Sequence, residues 1–248
     1  DQLENDLQFT LNAAVADPGG EYFDGEGSVL VTRGEFALTA TLDEYIVGRG
    51  QVANLTLEAK SHDGKPLSGV EIRVLEGTND WSQREVRFLE RKRSSVRTGA
   101  DGTARIASTP PSGSTTFKAV ATDRRGNEIA ATEWVWVEGA GSSAAPGPSG
   151  TLSLRLDKRS YKVGDTAKLL IQTSEPGGHA WITVEGDQVY ASQLVALDGG
   201  STTLDVPIEG SFAPNAYVTA AYVKDKQFLE ATRRVAVDLE RRTLQVSI

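Results

Sequence analysis

The chain has 248 residues, a formal net charge of −8 and 39% hydrophobic residues, with 25 glycines and 9 prolines. It contains no cysteine, which excludes disulfides, thiolate nucleophiles and zinc–thiolate sites. The acidic balance disfavours nucleic acid as a partner because the phosphates would be repelled.

The first predicted element is a β-hairpin within residues 1–34. Phe9, Leu11, Ala13 and Val15 place an apolar residue at every second position, which is typical of a half-buried strand. A Pro-Gly-Gly turn follows at positions 18–20 and leads into a return strand that ends near position 31. Because two strands alone are marginal in water, we expect the hairpin to close a preceding domain and to lean on the next domain or on further strands.

The next predicted unit spans residues 35–138. Alternating apolar residues at positions 36–42, 55–59 and 70–74 predict strands, and Asp63-Gly64 predicts a tight turn. A second unit at 151–240 repeats the landmark Tyr45-Ile46-Val47-Gly48 as Tyr161-Lys162-Val163-Gly164. Each landmark is predicted to be a turn whose tyrosine buries its ring and donates its hydroxyl to nearby backbone, as in a tyrosine corner. About seven short strands per unit, separated by turns and without helical periodicity, predict tandem antiparallel β-sandwiches of immunoglobulin-like type.

The segment between the two units, residues 139–150, contains only small residues and two prolines and carries no charge. This composition predicts a flexible interdomain linker. A cleavable segment is the less favoured interpretation, because the linker offers a protease no Arg, Lys or aromatic anchor. Residues 241–248 are predicted to be a linker or the first strand of a following domain.

An internal repeat supports this division. Residues 11–31 align without a gap with residues 117–137, and residues 217–237 form a third copy of the same length. Each copy is predicted to be a hairpin whose turn aspartate (Asp17, Asp123 or Asp225) accepts N–H groups of the turn. No loop collects the several carboxylates that a calcium site requires.

The second unit resembles the macroglobulin-like domains of bacterial alpha-2-macroglobulins that lie near the bait region. The resemblance rests on LDKRSYKVGDTA at 156–167, ITVE at 182–185 and APNAYV at 213–218. The first unit is similar through its turns DGKPLSGV at 63–70 and TGADGTA at 98–104. The resemblance implies macroglobulin-like β-sandwiches over most of the chain.

The resemblance further implies a function. The family traps proteases: cleavage of an exposed bait segment collapses the inhibitor around the protease. This chain would then be a non-enzymatic structural fragment of a broad-spectrum endopeptidase inhibitor of the bacterial periplasm, cell envelope or exterior. Its partners would be proteases, through the full-length protein, and neighbouring domains. Covalent capture in some members uses a Cys-x-x-Gln thioester, which this chain lacks.

We therefore predict no catalytic, cofactor-binding, metal or thioester residue in the chain, no cofactor, no membrane span and a monomeric state. His62 and His179 are the only histidines, and neither has the spacing of a metal ligand or of a catalytic triad. Trp81 and Trp181 are interpreted as core or loop-anchoring residues.

Two surface features have alternative interpretations. The basic run from Arg84 to Arg97 is interpreted as an exposed strand whose arginines are solvated or paired with acidic residues; a loop that faces a protease is the alternative. Trp134 and Trp136 lie on one face of a predicted strand. Packing against a neighbouring domain is favoured there over a ligand platform.

Two other function classes stay open at the level of sequence. The chain could belong to an immunoglobulin-like surface adhesin or stalk that binds a glycan or a host protein. It could also be an accessory β-domain pair of a secreted carbohydrate-active enzyme whose catalytic module lies elsewhere.

Overall fold

The computed structural model describes residues 7–32, 34–80, 86–139 and 150–238. These residues form mainly antiparallel sheets, which confirms the all-β prediction. The strands are β1 (Leu7–Ala16), β2 (Tyr22–Val31), β3 (Phe36–Leu42), β4 (Ile46–Val47), β5 (Ala53–Ser61), β6 (Glu71–Asp80), β7 (Arg87–Arg97), β8 (Thr103–Ser108), β9 (Gly113–Thr122), β10 (Glu128–Val137), β11 (Leu152–Leu156), β12 (Thr166–Thr173), β13 (His179–Glu185), β14 (Val189–Ala196), β15 (Ser201–Pro207), β16 (Asn215–Lys224) and β17 (Gln227–Ala236).

The predicted opening hairpin is present as β1 and β2, which pair with each other in a two-stranded sheet. One face carries Phe9, Leu11, Val15, Phe23 and Val29, and each of these side chains is more than half exposed. Among the described residues, no third strand joins this sheet.

The first sandwich packs the sheet β4-β10-β9-β6-β7 against the sheet β3-β5-β8. Alternation along the strands turns one set of side chains inward, and Leu55, Leu57, Ile72, Phe117 and Val135 are almost fully buried. Residues 45–48, predicted to be a simple turn, instead include β4, which pairs in parallel with the end of β10.

The second sandwich packs β11-β12-β15 against β14-β13-β16-β17 around a separate core. Leu169, Ile171, Ile182, Val218 and Val235 are among its most buried residues. Strand β12 differs from simple alternation, since three consecutive apolar residues, Leu169, Leu170 and Ile171, are all buried. A fully apolar run of this kind indicates a strand covered on both faces.

The aspartate turns of the repeat are confirmed in two of its three copies. Asp17 Oδ1 accepts the N–H groups of Gly19 and Glu21 at 2.8 and 2.9 Å. Asp123 Oδ1 accepts those of Arg125 and Asn127 at 2.9 and 2.8 Å.

The expectation for Asp225 was wrong. It lies in a two-residue turn with Lys226, at φ values of 48° and 67°. The shorter turn leaves no room for a capping aspartate before it, so the chain reverses through two left-handed residues instead.

The described part of the basic run, from Arg87 onward, is mostly strand β7, at the edge of its sheet. Arg91, Arg93 and Arg97 form ion pairs with Glu76, Glu90 and Glu71, respectively. This confirms the interpretation as an exposed strand with paired arginines. Arg84, Trp81, most of the predicted linker and the predicted strand at 241–248 lie outside the described residues.

Candidate functional site at the contact between the two sandwiches

The two sandwiches touch through a compact set of side chains, and this contact is the candidate functional site. The first sandwich contributes the outward side of β4 and of the end of β10. The second contributes the outward side of β11, β12 and β15 and the loop that follows β11. The inward side chains of these strands, such as Val135 and Leu169, pack in the core of their own sandwich. The outward side chains are therefore the ones that contact each other across the junction.

An apolar cluster forms the centre of the contact. Ile46 and Trp136 of the first sandwich pack against Leu170 of the second, and the three are 3%, 2% and 1% exposed. Trp134 packs against the edge of this cluster. The expectation that Trp134 and Trp136 share a face and pack between domains is confirmed. Burying a large aromatic and a leucine stabilises such a contact by about 2 kcal/mol per side chain.

Arg155 lies beside this cluster and inserts its guanidinium between two aromatic rings. Its Cζ is 3.9 Å from the ring centroid of Trp134 and 4.4 Å from that of Tyr45. Its Nη2 donates to Glu133 Oε1 at 2.6 Å, and the two side chains are 18% and 16% exposed. We call these four residues the arginine clamp.

The electrostatics of the arginine clamp favour a paired cation. Burial lowers the pKa of Arg155 from its ordinary value, while the hydrogen bond to Glu133 raises it. A guanidinium stays charged throughout the accessible pH range. The clamp therefore holds a permanent charge that needs Glu133 as its counter-ion, because a buried charge without a partner is strongly unfavourable.

Tyr45 makes further contacts across the junction. Its hydroxyl accepts a hydrogen bond from Arg159 Nε at 2.6 Å, and its backbone N–H donates to the carbonyl of Asp157 at 2.8 Å. Arg159 Nη2 also donates to Thr41 Oγ1 at 3.1 Å. The expectation that the Tyr45 hydroxyl bonds to nearby backbone was wrong, since its partner belongs to the other sandwich.

The equivalent tyrosine of the second sandwich makes local bonds instead. The Tyr161 hydroxyl donates to Asp157 Oδ1 at 2.7 Å and accepts the Lys158 N–H at 3.1 Å. Burial, and then the bond to Asp157, raise the pKa of Tyr161 above its ordinary value. A buried corner tyrosine is confirmed here, although its hydroxyl donates to a carboxylate and not to backbone.

Glu138 closes the far side of the contact. Its carboxylate accepts from Lys168 Nζ at 3.3 Å and from Thr203 Oγ1 at 3.1 Å. Lys168 is in β12 and Thr203 is in β15, so this carboxylate spans both strands. Being more exposed than the arginine clamp, this pair contributes little stability, but it adds a polar contact between the two surfaces.

The remaining candidate residues lie away from the contact. His62 is exposed, with Nε2 2.9 Å from the Gly34 carbonyl oxygen, and His179 is exposed at the start of β13. Trp181 was wrongly assigned to a core or a loop anchor: it is 54% exposed. Its neighbours Ala180 and Ile182 point into the core, so alternation along the strand turns the indole outward.

Sequence reasoning found the two tryptophans but missed Arg155, Arg159, Glu133 and Glu138. One feature of the sequence did indicate a covered surface in this region. The unbroken apolar run in β12 indicates that its outward face is covered, and that face carries Leu170. The arginines carried no such signal, since a single charged residue on a strand is ordinarily solvated.

The fold and the contact define a class: tandem antiparallel β-sandwiches joined by a built interface and, within the described residues, without a cluster that could hold a metal ion. Residues 152–248 match the alpha-2-macroglobulin bait region domain family. The chain is 31% identical over 113 residues to an alpha-2-macroglobulin of Ralstonia nicotianae. It is 30% identical over 119 residues to an alpha-2-macroglobulin homolog of Nostoc sp..

These matches confirm the predicted resemblance: residues 152–248, which include the second sandwich, match the bait region domain family of alpha-2-macroglobulins. They cover 42% and 47% of this chain but only 7% and 6% of the two relatives. A solved structure of native Escherichia coli alpha-2-macroglobulin matches 94% of this chain and 17% of that chain, at 16% identity and a TM-score of 0.37.

Across the part of the chain that the structure describes, no helix has the length and apolar character to span a membrane.

Proposed function

We propose that this chain is a structural part of a bacterial alpha-2-macroglobulin-like, broad-spectrum endopeptidase inhibitor. The observation that carries the proposal is the match of residues 152–248 to the bait region domain family. The two alpha-2-macroglobulin relatives, each far longer than this chain, agree with it.

Within this proposal, the chain comprises the closing hairpin of a preceding domain (1–34), a macroglobulin-like sandwich (35–138), a linker (139–150), a second such sandwich (151–240) and the start of a following element (241–248). The exposed apolar face of β1 and β2 supports the first assignment. The equivalent positions of β9 and β10, at Phe117, Ile129 and Val135, are core residues of the first sandwich.

The proposed role of the chain is to hold the bait-region domain at a fixed angle to the sandwich before it. The arginine clamp, the apolar cluster and the bonds of Tyr45 and Glu138 act together to set this angle. A protease trap needs such rigid parts, because a cut in one segment is transmitted to the rest only through elements that move as units.

The chain is proposed to act without catalysis, cofactor or metal. In the full-length protein its partners would be proteases and neighbouring domains. The protein would be a monomer of the periplasm, cell envelope or extracellular space. Purified chain should hydrolyse none of a panel of peptide, ester and glycoside substrates. Turnover that disappears in a His179→Ala variant would overturn the non-catalytic assignment.

The test of the inhibitor function uses the full-length protein that contains this chain and several unrelated proteases. Cleavage within one short region, followed by a smaller hydrodynamic radius and retention of the protease, is the expected result. Cleavage at scattered sites with unchanged size and free protease would contradict the proposal. Protease inactivated at its active site is the matched control, since it can bind but cannot cut.

One observation favours a second function, that of an adhesin or stalk. The outer face of the sheet β14-β13-β16-β17 carries Trp181, Leu194, Val223 and Phe228, each more than half exposed. An apolar patch of this kind marks a surface for protein or sugar contact. Saturable binding of a glycan or host protein by the chain, lost in a Trp181→Ala variant, would support this function.

A further inference from the structure

The contact between the sandwiches is peculiar to this junction and is not a general property of the repeated hairpin. Where the second copy has Glu133, Trp134 and Trp136, the third copy has Arg233, Arg234 and Ala236. The first copy has Gly27, Ser28 and Leu30 at the same alignment positions. Neither of these copies offers the tryptophans and the carboxylate that receive Arg155.

The residues that approach this surface are also not repeated. Asp43 and Asp157 are structurally equivalent, since their N–H groups bond to the carbonyls of Asn54 and Lys168, which are paired in the same way. On this alignment, Thr41 stands in place of Arg155. Position 56, the equivalent of Leu170, is a threonine.

Arg159 belongs to a segment that the first sandwich lacks. The chain reads Leu42-Asp-Glu-Tyr45 in the first sandwich and Leu156-Asp-Lys-Arg-Ser-Tyr161 in the second. The second loop is thus two residues longer, and the added length carries the guanidinium that reaches the Tyr45 hydroxyl.

Each of the contacts described above joins side chains or backbone of the two sandwiches directly. The apolar cluster, the arginine clamp and the Tyr45–Asp157 backbone bond lie within residues 41–47, 133–138 and 155–170. None of them uses a residue of the predicted linker. Charge is complementary across the junction, where Arg155 and Lys168 of the second sandwich pair with Glu133 and Glu138 of the first.

We propose that the two sandwiches are a specific recognition pair that binds without the covalent link. The surface around Trp134, Trp136 and Glu133 is a docking site whose partner is a β-sheet face that presents an arginine beside a leucine, as Arg155 and Leu170 do. A cut in the connecting segment therefore leaves the two halves associated. This inference is independent of the proposed inhibitor function, since it concerns only the two sandwiches.

The experiment places a recognition site for a sequence-specific protease between Ala140 and Ser149 of the whole chain. After complete cutting, the halves are analysed by size-exclusion chromatography and by analytical ultracentrifugation across a dilution series. The halves are expected to run together at the size of the uncut chain. Separation of the wild-type halves at all concentrations overturns the proposal.

The variant Arg155→Ala tests whether the arginine clamp carries the recognition. Truncating one partner of a buried charged pair costs at least about 2 kcal/mol, which converts to an affinity weaker by about 30-fold. The control is Arg105→Ala, which removes an exposed arginine of β8 outside the contact. Equal affinity in all three proteins overturns the role of the clamp.

A conservative variant keeps the test decisive if Arg155→Ala folds poorly. Glu133→Gln retains the shape of the side chain and removes its charge, so it should weaken association of the halves while the uncut chain keeps its far-ultraviolet circular dichroism. Unchanged association in Glu133→Gln also counts against the proposal, because the guanidinium would then need no counter-ion.

Discussion

The substitution Arg155→Ala gives the most direct measure of the energy in the contact. The guanidinium stacks on two rings, at 3.9 and 4.4 Å, and a cation–π contact at a partly buried site is worth about 1 kcal/mol. Loss of the guanidinium also leaves Glu133 without its ion-pair partner, and breaking a fully buried pair costs about 3–5 kcal/mol.

The cost of breaking the ion pair is smaller here than for a fully buried pair, because the side chains of Arg155 and Glu133 are 18% and 16% exposed. Water can also reach the Glu133 carboxylate once the arginine is removed. About 2 kcal/mol is a reasonable share for the ion pair. Since the ring contacts and the ion pair belong to one group, they do not add fully. We expect Arg155→Ala to lower the free energy of unfolding by about 3 kcal/mol.

The assay is urea unfolding followed by tryptophan fluorescence, which reports on the contact because Trp134 and Trp136 lie in it. A double-mutant cycle with Glu133→Gln isolates the ion pair, with an expected coupling energy of about 1–2 kcal/mol. The same cycle between Arg105→Ala and Glu133→Gln is the control. A loss under about 0.5 kcal/mol for Arg155→Ala, with a coupling energy near zero, would refute the reasoning.

Three further predictions follow from single residues. Trp136→Ala should lower the free energy of unfolding by about 3 kcal/mol, measured by the same titration, and should expose Leu170 to an apolar dye; retention of wild-type stability would contradict its place in the contact. Tyr161→Phe should cost about 1–2 kcal/mol through lost bonds. Because the raised pKa of Tyr161 keeps it protonated when the unfolded chain ionises, its contribution is full below about pH 10 and fades above it; in the phenylalanine variant that alkaline loss should be smaller. Lys226→Gly should stabilise the chain by about 1 kcal/mol, because φ of 67° is strained for lysine and free for glycine, and a lower urea midpoint would contradict the turn assignment.

The strands were predictable from the sequence because alternation is a local signal. Val135 and Val137 point inward and Trp134 and Trp136 outward for the same reason that Ala180 and Ile182 point inward and Trp181 outward. What alternation does not tell is whether an outward tryptophan is covered. Trp136 is 2% exposed and Trp181 is 54% exposed. The difference arises because a second domain covers Trp136, and the sequence of neither strand indicates whether such a domain is present.

The arrangement of the two sandwiches was not predictable from the linker. Its composition of Gly, Ser, Ala and Pro indicates a spacer that lets domains reorient. The structure instead joins the domains through residues that flank the linker on both sides, such as Glu138 and Arg155. The composition of a linker describes only the freedom of the connection itself, and a contact between the domains can remove that freedom.

The two equivalent tyrosines, Tyr45 and Tyr161, have hydroxyl groups with different partners, and only that of Tyr45 takes part in the contact between the sandwiches. Asp157 stands four residues before Tyr161 and receives its hydroxyl at 2.7 Å, whereas Asp43 stands only two residues before Tyr45. The shorter spacing deprives Tyr45 of the local carboxylate that satisfies Tyr161. A buried phenol still needs a partner, and the longer loop of the next sandwich supplies Arg159. A difference of two residues between otherwise similar loops thus accounts both for the unsatisfied hydroxyl on one domain and for the guanidinium that reaches it from the other.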